Sequence, residues 1–74
     1  MSLRPLSYRE VERRLKAAGF SIVSQKGSHV KFAKLEMSGM RTAIVPKHRE
    51  IAMGTLRSIL RQAGLSIDEF QSLG

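Results

Sequence analysis

A single histidine follows a glycine–serine pair, with a lysine on either side, in the stretch QKGSHVKF at residues 25–32. An imidazole can act as a general base or a general acid, because the usual histidine pKa of about 6.5 leaves both forms populated near neutrality. Lys26 and Lys31 can balance charge on a phosphate, and backbone N–H groups at Gly27 and Ser28 can bind a phosphate oxygen. Together with His29, these groups suit metal-free cleavage of RNA, in which a ribose 2′-hydroxyl attacks its own phosphate.

The same six residues, KGSHVK, also fit a simpler interpretation. His29 would then be an ordinary surface histidine at the corner of a hairpin, and Lys26 and Lys31 would be solvated charges. The spacing alone does not separate these two interpretations, so the surrounding elements have to be considered.

Other catalytic centres find little support in the sequence. The chain has no cysteine and two histidines, His29 and His48, and its six carboxylates are scattered without the spacing of metal ligands. We therefore predict no metal and no other cofactor. Neither a G-x-S-x-G nucleophile motif nor a Walker phosphate loop is present.

The overall charge indicates an acidic partner. Thirteen Lys and Arg against six Asp and Glu give a net charge of +7 in 74 residues, which favours binding to nucleic acid or an acidic protein. The length predicts one domain, residues 1–74, and 42% hydrophobic residues argue against disorder. No apolar run approaches the roughly 20 residues of a membrane span, so we expect a cytoplasmic protein that has no membrane partner.

Helical spacing appears at both ends of the chain. SYREVERRLKAAGF, residues 7–20, begins with a capping box of Ser7 and Glu10 and places Gly19 where a left-handed C-terminal cap belongs. MGTLRSILRQAG, residues 53–64, has apolar residues at i, i+3, i+4 and i+7 and stops at its final glycine. A second capping box, Ser66 with Glu69, opens a short final helix.

Three short strands are predicted between these helices: FSIVS, HVKFAK and RTAIVP, joined by the turn QKGS and a Ser-Gly turn. They form an antiparallel meander, so the fold class is α+β, with the order α-β-β-β-α and both main helices on one face of the sheet. Alternation then directs Val30 and Phe32 towards the helices. His29 and Lys31 point to the opposite, uncovered side or to the rim of the sheet.

The chain closely resembles the HicA family, also labelled YcfA-like, which are the small toxins of HicA–HicB toxin–antitoxin modules. The resemblance rests on GSHV in the second strand, IVPKHREI at the third and GTLRSILRQAGLS in the second helix, and it runs from about Ser7 to Phe70. It implies a fold like the double-stranded-RNA-binding domain and activity as a ribosome-independent mRNA interferase. It also implies that the essential histidine lies in Gly27-Ser28-His29, and that a HicB-type antitoxin binds the toxin and covers its active site.

The resemblance extends to two further positions. His48 matches the histidine of a Pro-x-His stretch and is either a second acid–base or phosphate contact, or a turn histidine that leads into the second helix. Gly54 matches a family glycine, and we expect it to serve a close approach of backbones at the helix start. The neighbouring Arg57 and Arg61 form either a solvated face or contacts with RNA or antitoxin.

One segment departs from the family. Many relatives carry an RHPDG-like turn between strands two and three, whereas this chain has AKLEMSGM at residues 33–40. Leu35, Met37 and Met40 make this hairpin less polar, so contacts of the family's hairpin tip cannot be transferred to this chain. The motif around His29 is unaffected.

The sequence therefore predicts the toxin of a type II toxin–antitoxin module, a metal-independent endoribonuclease that cleaves mRNA. Its expected partners are mRNA and a HicB-type antitoxin, and the free protein is expected to be a monomer or small homo-oligomer. The alternatives are an RNA-binding module without catalysis, which would recognise RNA through its shape, and a module that only docks an antitoxin. DNA binding by a helix-turn-helix is disfavoured, because the second helix follows a sheet.

Overall fold

Three antiparallel strands form one sheet, with one helix before it and two after it. The computed structural model describes residues 3–74. Its elements are α1 (Tyr8–Ala17), β1 (Ser21–Lys26), β2 (His29–Glu36), β3 (Gly39–Pro46), α2 (Met53–Ala63) and α3 (Ile67–Ser72). The strand order is β1-β2-β3, an antiparallel meander. The predicted α+β class and order of elements are confirmed.

Only one of the two hydrogen bonds of a capping box forms at the start of α1. Ser7 Oγ accepts a hydrogen bond from the Glu10 backbone N–H at 3.2 Å, as the sequence predicts. The reciprocal half of the predicted capping box is wrong, because the Glu10 carboxylate accepts hydrogen bonds from Arg13 and Arg14 instead. The helix ends as expected, since Gly19 follows it with a positive φ of 100°.

The ends of α2 and α3 follow the sequence more closely. Gly64 terminates α2 in the left-handed conformation, with φ 72°. Both hydrogen bonds of the second capping box form, from Glu69 N to Ser66 Oγ at 3.0 Å and from Ser66 N to Glu69 Oε1 at 2.8 Å. The role predicted for Gly54 is wrong, because a Cβ added there would meet nothing within 4 Å and no backbone approaches it closely.

Strand β1 is longer and less regular than predicted. It continues to Lys26, which pairs with His29, so the predicted turn residues 25 and 26 belong to the strand. A β-bulge interrupts the pairing with β2 between Ile22 and Ser24. All six residues of β1 are exposed, which makes it a solvated edge strand.

One hydrophobic core lies between the helices and one face of the sheet. Val30 and Phe32 of β2 are buried there, as alternation predicts, and Phe32 has no exposed surface. The cluster joins α1, β2, β3, α2 and α3, and its fully buried large members are Phe32, Phe70, Leu15, Ile51, Leu56, Ile59, Val11, Val30 and Val45. Burial of one such side chain contributes about 1.5–3 kcal/mol. This core fixes which face of the sheet remains uncovered.

We call the uncovered side of the sheet the open face. The register and the alternation of side chains assign to it Ser24 and Lys26 of β1, His29, Lys31, Ala33 and Leu35 of β2, and Met40, Thr42 and Ile44 of β3. The described helices, all within residues 3–74, include none that is long and apolar enough to cross a membrane.

Candidate nucleic-acid interface

The residues with candidate chemistry surround a two-residue turn between β1 and β2. Gly27 occupies the first position of this turn with φ 59°, the place where a type II′ hairpin turn needs glycine. Its carbonyl accepts a hydrogen bond from the Gln25 side-chain amide at 3.0 Å. No atom lies within 4 Å of the position that a Cβ would occupy at Gly27, so this side of the turn backbone is accessible to a ligand.

His29 begins β2 directly after this turn and is exposed. Its neighbours across the sheet are Lys26 on one side and Pro46 on the other. Lys31, also exposed, follows on the same face at about 7 Å along the strand. Among residues 3–74 no hydrogen bond or ion pair occupies the imidazole. The structure therefore leaves His29 free to meet a ligand between two cationic side chains.

The loop after β3 lies beside the same turn. The Lys47 backbone N–H donates a hydrogen bond to the Ser28 carbonyl at 2.5 Å, which ties the end of β3 to the turn. His48 is exposed and lies two residues beyond Pro46, the cross-strand neighbour of His29. The sequence placed His48 far from His29 in the chain, and the sheet register brings the two to the same end of the molecule.

Lys47 is a residue that sequence reasoning did not assign to the site. Its ammonium lies 5.6 Å from the centroid of the Tyr8 ring, a cation–π contact. Burial, and then the hydrogen bond and charge of Glu12, raise the pKa of Tyr8 to about 12. The Lys16 ammonium and the Tyr8 hydroxyl, as hydrogen-bond donors, hold the pKa of Glu12 below its usual range. The Tyr8 ring and the Glu12 carboxylate thus attract the Lys47 ammonium, which adds a third cation to Lys26 and Lys31 near the turn.

No local signal could have revealed the contact between Lys47 and Tyr8. Tyr8 fits the apolar stripe of α1, and it is indeed buried in the core. The contact arises only because an isolated bridge joins Leu6 to Ile51, with hydrogen bonds of 3.2 and 2.7 Å, and brings the loop after β3 alongside the start of α1.

The charge on the open face is entirely positive. All six carboxylates lie elsewhere: Glu10 and Glu12 on α1, Glu36 on the helix side of β2, Glu50 in the loop before α2, and Asp68 and Glu69 on α3. Lys26, His29 and Lys31 therefore form a cationic end of the face with no acid beside them on it. Within residues 3–74, no three His, Cys, Asp or Glu side chains come together as a metal site would require.

An exposed histidine at a glycine–serine turn, on the cationic end of an open three-stranded sheet, defines a small basic α+β domain suited to an anionic ligand. The chain matches the family model described as the HicA toxin of bacterial toxin–antitoxin over residues 8–65, and it belongs to this family. It is thus the toxin component of a toxin–antitoxin pair, and membership implies an antitoxin partner. A search of curated proteins finds no match to the chain.

Proposed function

We propose that this toxin is a metal-independent endoribonuclease that cleaves mRNA in the cytoplasm with His29 as a proton-transfer group, and that a HicB-type antitoxin restrains it. The observation that carries the proposal is the position of His29. It is exposed at the start of β2, between Lys26 and Lys31, beside a turn whose backbone is accessible. An imidazole in such a place can reach a phosphodiester that lies along the cationic end of the open face.

The reaction needs only the RNA and two proton transfers. A base removes the proton from a ribose 2′-hydroxyl, and the 2′-oxygen forms a bond to the adjacent phosphorus. The bond from phosphorus to the 5′-oxygen then breaks, and an acid delivers a proton to that oxygen. The products are a 2′,3′-cyclic phosphate and a 5′-hydroxyl, so atoms and charge balance without water or metal.

Each residue at the cationic end has a role in this scheme. His29 performs one of the two proton transfers, and His48 is the candidate for the other or for a phosphate contact. Lys26 and Lys31 offset the charge that builds on the phosphorane oxygens. The Gly27–Ser28 turn offers backbone N–H groups to a phosphate oxygen.

Cleavage of a defined RNA by the purified protein in EDTA tests this proposal. His29→Ala is expected to lower the rate by about 10²–10⁴-fold, the usual contribution of a general acid or base. Arg9→Ala provides a control, because Arg9 is an exposed cation on α1, and it should retain the wild-type rate. RNA with a 2′-deoxy nucleotide at the cleavage position should remain intact, because it lacks the attacking hydroxyl.

Two results would contradict the proposal. One is a His29→Ala variant that cleaves as fast as wild type, and the other is wild-type activity that disappears in EDTA. Growth arrest on expression, relieved by His29→Ala, would extend the result to cells.

An RNA-binding module without catalysis is the second candidate, because the same cationic end can hold phosphates without cutting them. This function predicts that wild type and His29→Ala bind a structured RNA with equal affinity and leave it intact. Replacement of Lys26 and Lys31 by Ala should then reduce the salt dependence of binding.

A further inference from the structure

The hairpin between β2 and β3 exposes its apolar side chains. Leu35, Met37 and Met40, which we call the apolar tip, are 75%, 108% and 63% exposed. Leu35 and Met40 are direct cross-strand partners on the open face, and Met37 lies in the turn between their strands. Contiguous exposed apolar residues on a small monomeric domain are typical of a docking surface.

The charged side chains of the same hairpin point to the helix side and are engaged there. The Lys34 ammonium lies 5.8 Å from the centroid of the Phe20 ring. Arg41 Nε donates to Glu36 Oε1 at 2.9 Å, and the Arg41 guanidinium also donates to the Gln62 carbonyl at 3.4 Å. The hairpin is therefore held against the helices, and it presents its apolar tip on a fixed support.

The apolar tip continues along the open face towards the cationic end. Next on the face lie Thr42, which is exposed, and Ala33, which is only 8% exposed. Ile44 follows; it is 40% exposed and pairs with Lys31. Leu35 and His29 are six residues apart on one strand, about 20 Å. One surface thus has an apolar end and a cationic end, and no carboxylate interrupts it.

This combination fits a protein better than RNA or a second copy of the chain. RNA is held by cations and by aromatic rings that stack on bases, and the apolar tip offers neither. A second copy would bring another net charge of +7 to the surface. An acidic protein complements the charge, and flexible methionines adapt well to a protein partner.

We propose that the apolar tip is the anchor by which this toxin selects its antitoxin, an inference that rests on the antitoxin partnership proposed above. The contacting surface of the partner presents apolar side chains to Leu35, Met37 and Met40. Carboxylates beside them face Lys31 and Lys26 at the other end of the open face. The apolar contact supplies most of the affinity, whereas the charges increase the association rate and orient the partner.

Calorimetric titration of the full chain with the antitoxin of its own toxin–antitoxin pair tests this proposal. The triple variant Leu35→Ser, Met37→Ser, Met40→Ser should bind about 30-fold more weakly or worse, as expected for the loss of a central apolar anchor. The control variant Ile22→Ser, Met53→Ser removes two other exposed apolar side chains, 42% and 40% exposed, and should bind within about twofold of wild type. Thermal unfolding confirms that each variant is folded.

Four outcomes would overturn the proposal. The first is an antitoxin that binds the triple variant as tightly as wild type, and the second is an antitoxin that fails to bind wild type. The third is a wild-type dimer, seen by light scattering, that the triple variant loses while its antitoxin affinity is unchanged. The fourth is a triple variant that binds RNA more weakly but keeps the wild-type affinity for the antitoxin. Failure of the ribonuclease proposal would appear only in the cleavage assay, because none of these binding measurements needs catalysis.

Discussion

The two hairpins of the sheet use the same strand but present opposite chemistry. The β1–β2 turn, at residues 27–28, places His29 and two lysines on the open face. The β2–β3 turn, at residues 37–38, places Leu35 and Met40 on that same face at the other end of β2. Each hairpin contains a glycine with positive φ, Gly27 at 59° and Gly39 at 121°. The difference therefore lies in the side chains around the turns.

Under the two proposals above, one strand separates two tasks. The helix side of β2 contributes Val30 and Phe32 to a single core, whereas its open side changes from cationic to apolar over about 20 Å. Exposed residues at one end do not touch those at the other. A substitution in the apolar tip should therefore weaken antitoxin binding alone, whereas a substitution in the shared core should alter both tasks.

Phe32→Ala is expected to have the largest effect. Phe32 is fully buried in the middle of β2, and truncation of such a residue costs about 3–5 kcal/mol, close to the whole stability of a small domain. RNA cleavage and antitoxin binding should fall together, and urea denaturation should show the loss of stability. Lys31→Ala, at the exposed neighbouring position, should leave the unfolding free energy within about 0.5 kcal/mol of the wild-type value. A folded Phe32→Ala variant that loses only one task would contradict a shared core.

Alanine at the two turn glycines should have a smaller effect, of similar size in both hairpins. Both values, 59° at Gly27 and 121° at Gly39, lie where an L side chain strains the backbone. Alanine at either position should therefore lower the unfolding free energy by about 1–3 kcal/mol. Neither added Cβ meets an atom within 4 Å, so unfolding free energies report backbone strain alone.

Gly54→Ala is the control for these two substitutions. Gly54 lies in α2 with open space and no positive φ, and alanine there should raise the unfolding free energy by about 0.5–1 kcal/mol. No loss of unfolding free energy in Gly27→Ala or Gly39→Ala would contradict this prediction, because it would show that the turn relaxes without strain.

Acid should produce the smallest effect, and it should not distinguish the two hairpins. Hydrogen bonds from Arg13 and Arg14 lower the pKa of Glu10 on α1 to about 2. Because the folded pKa lies below the unfolded value, the stabilisation is complete above about pH 4.5 and is lost as the pH falls towards 2. Urea midpoints measured across that range should fall less for Glu10→Gln than for wild type. Glu50→Gln, which removes an exposed carboxylate, should follow wild type instead.

The sequence was most informative where one local pattern determines the structure. Ser7, Gly64 and the pair of Ser66 and Glu69 were all predicted as caps, and each caps its helix. The other half of the first capping box failed because two arginines, three and four residues after Glu10, compete for its carboxylate. Such competition depends on side-chain charges that the capping motif does not include.

Features that depend on distant elements could not be predicted. β1 continues to Lys26 because β2 pairs with it, and the bulge near Ser24 removes the alternation by which a strand is recognised. The hairpin at residues 33–40 was expected to be less polar. The contacts that its charged side chains make, however, depend on where the ends of α1 and α2 lie. The contact between Lys47 and Tyr8 likewise requires the bridge between Leu6 and Ile51, which are far apart in the sequence.

The way in which β1 and β3 end the sheet has a consequence for the behaviour of the protein at high concentration. A bare strand edge is a template on which further chains can add and grow into fibres. At β3, the Gln62 side chain accepts a hydrogen bond from the Ile44 backbone N–H at 2.9 Å and so occupies part of that edge. At β1, the bulge breaks the regular spacing that an incoming strand would need. Both edge strands are therefore poor templates for an added strand, although one face of the sheet is uncovered.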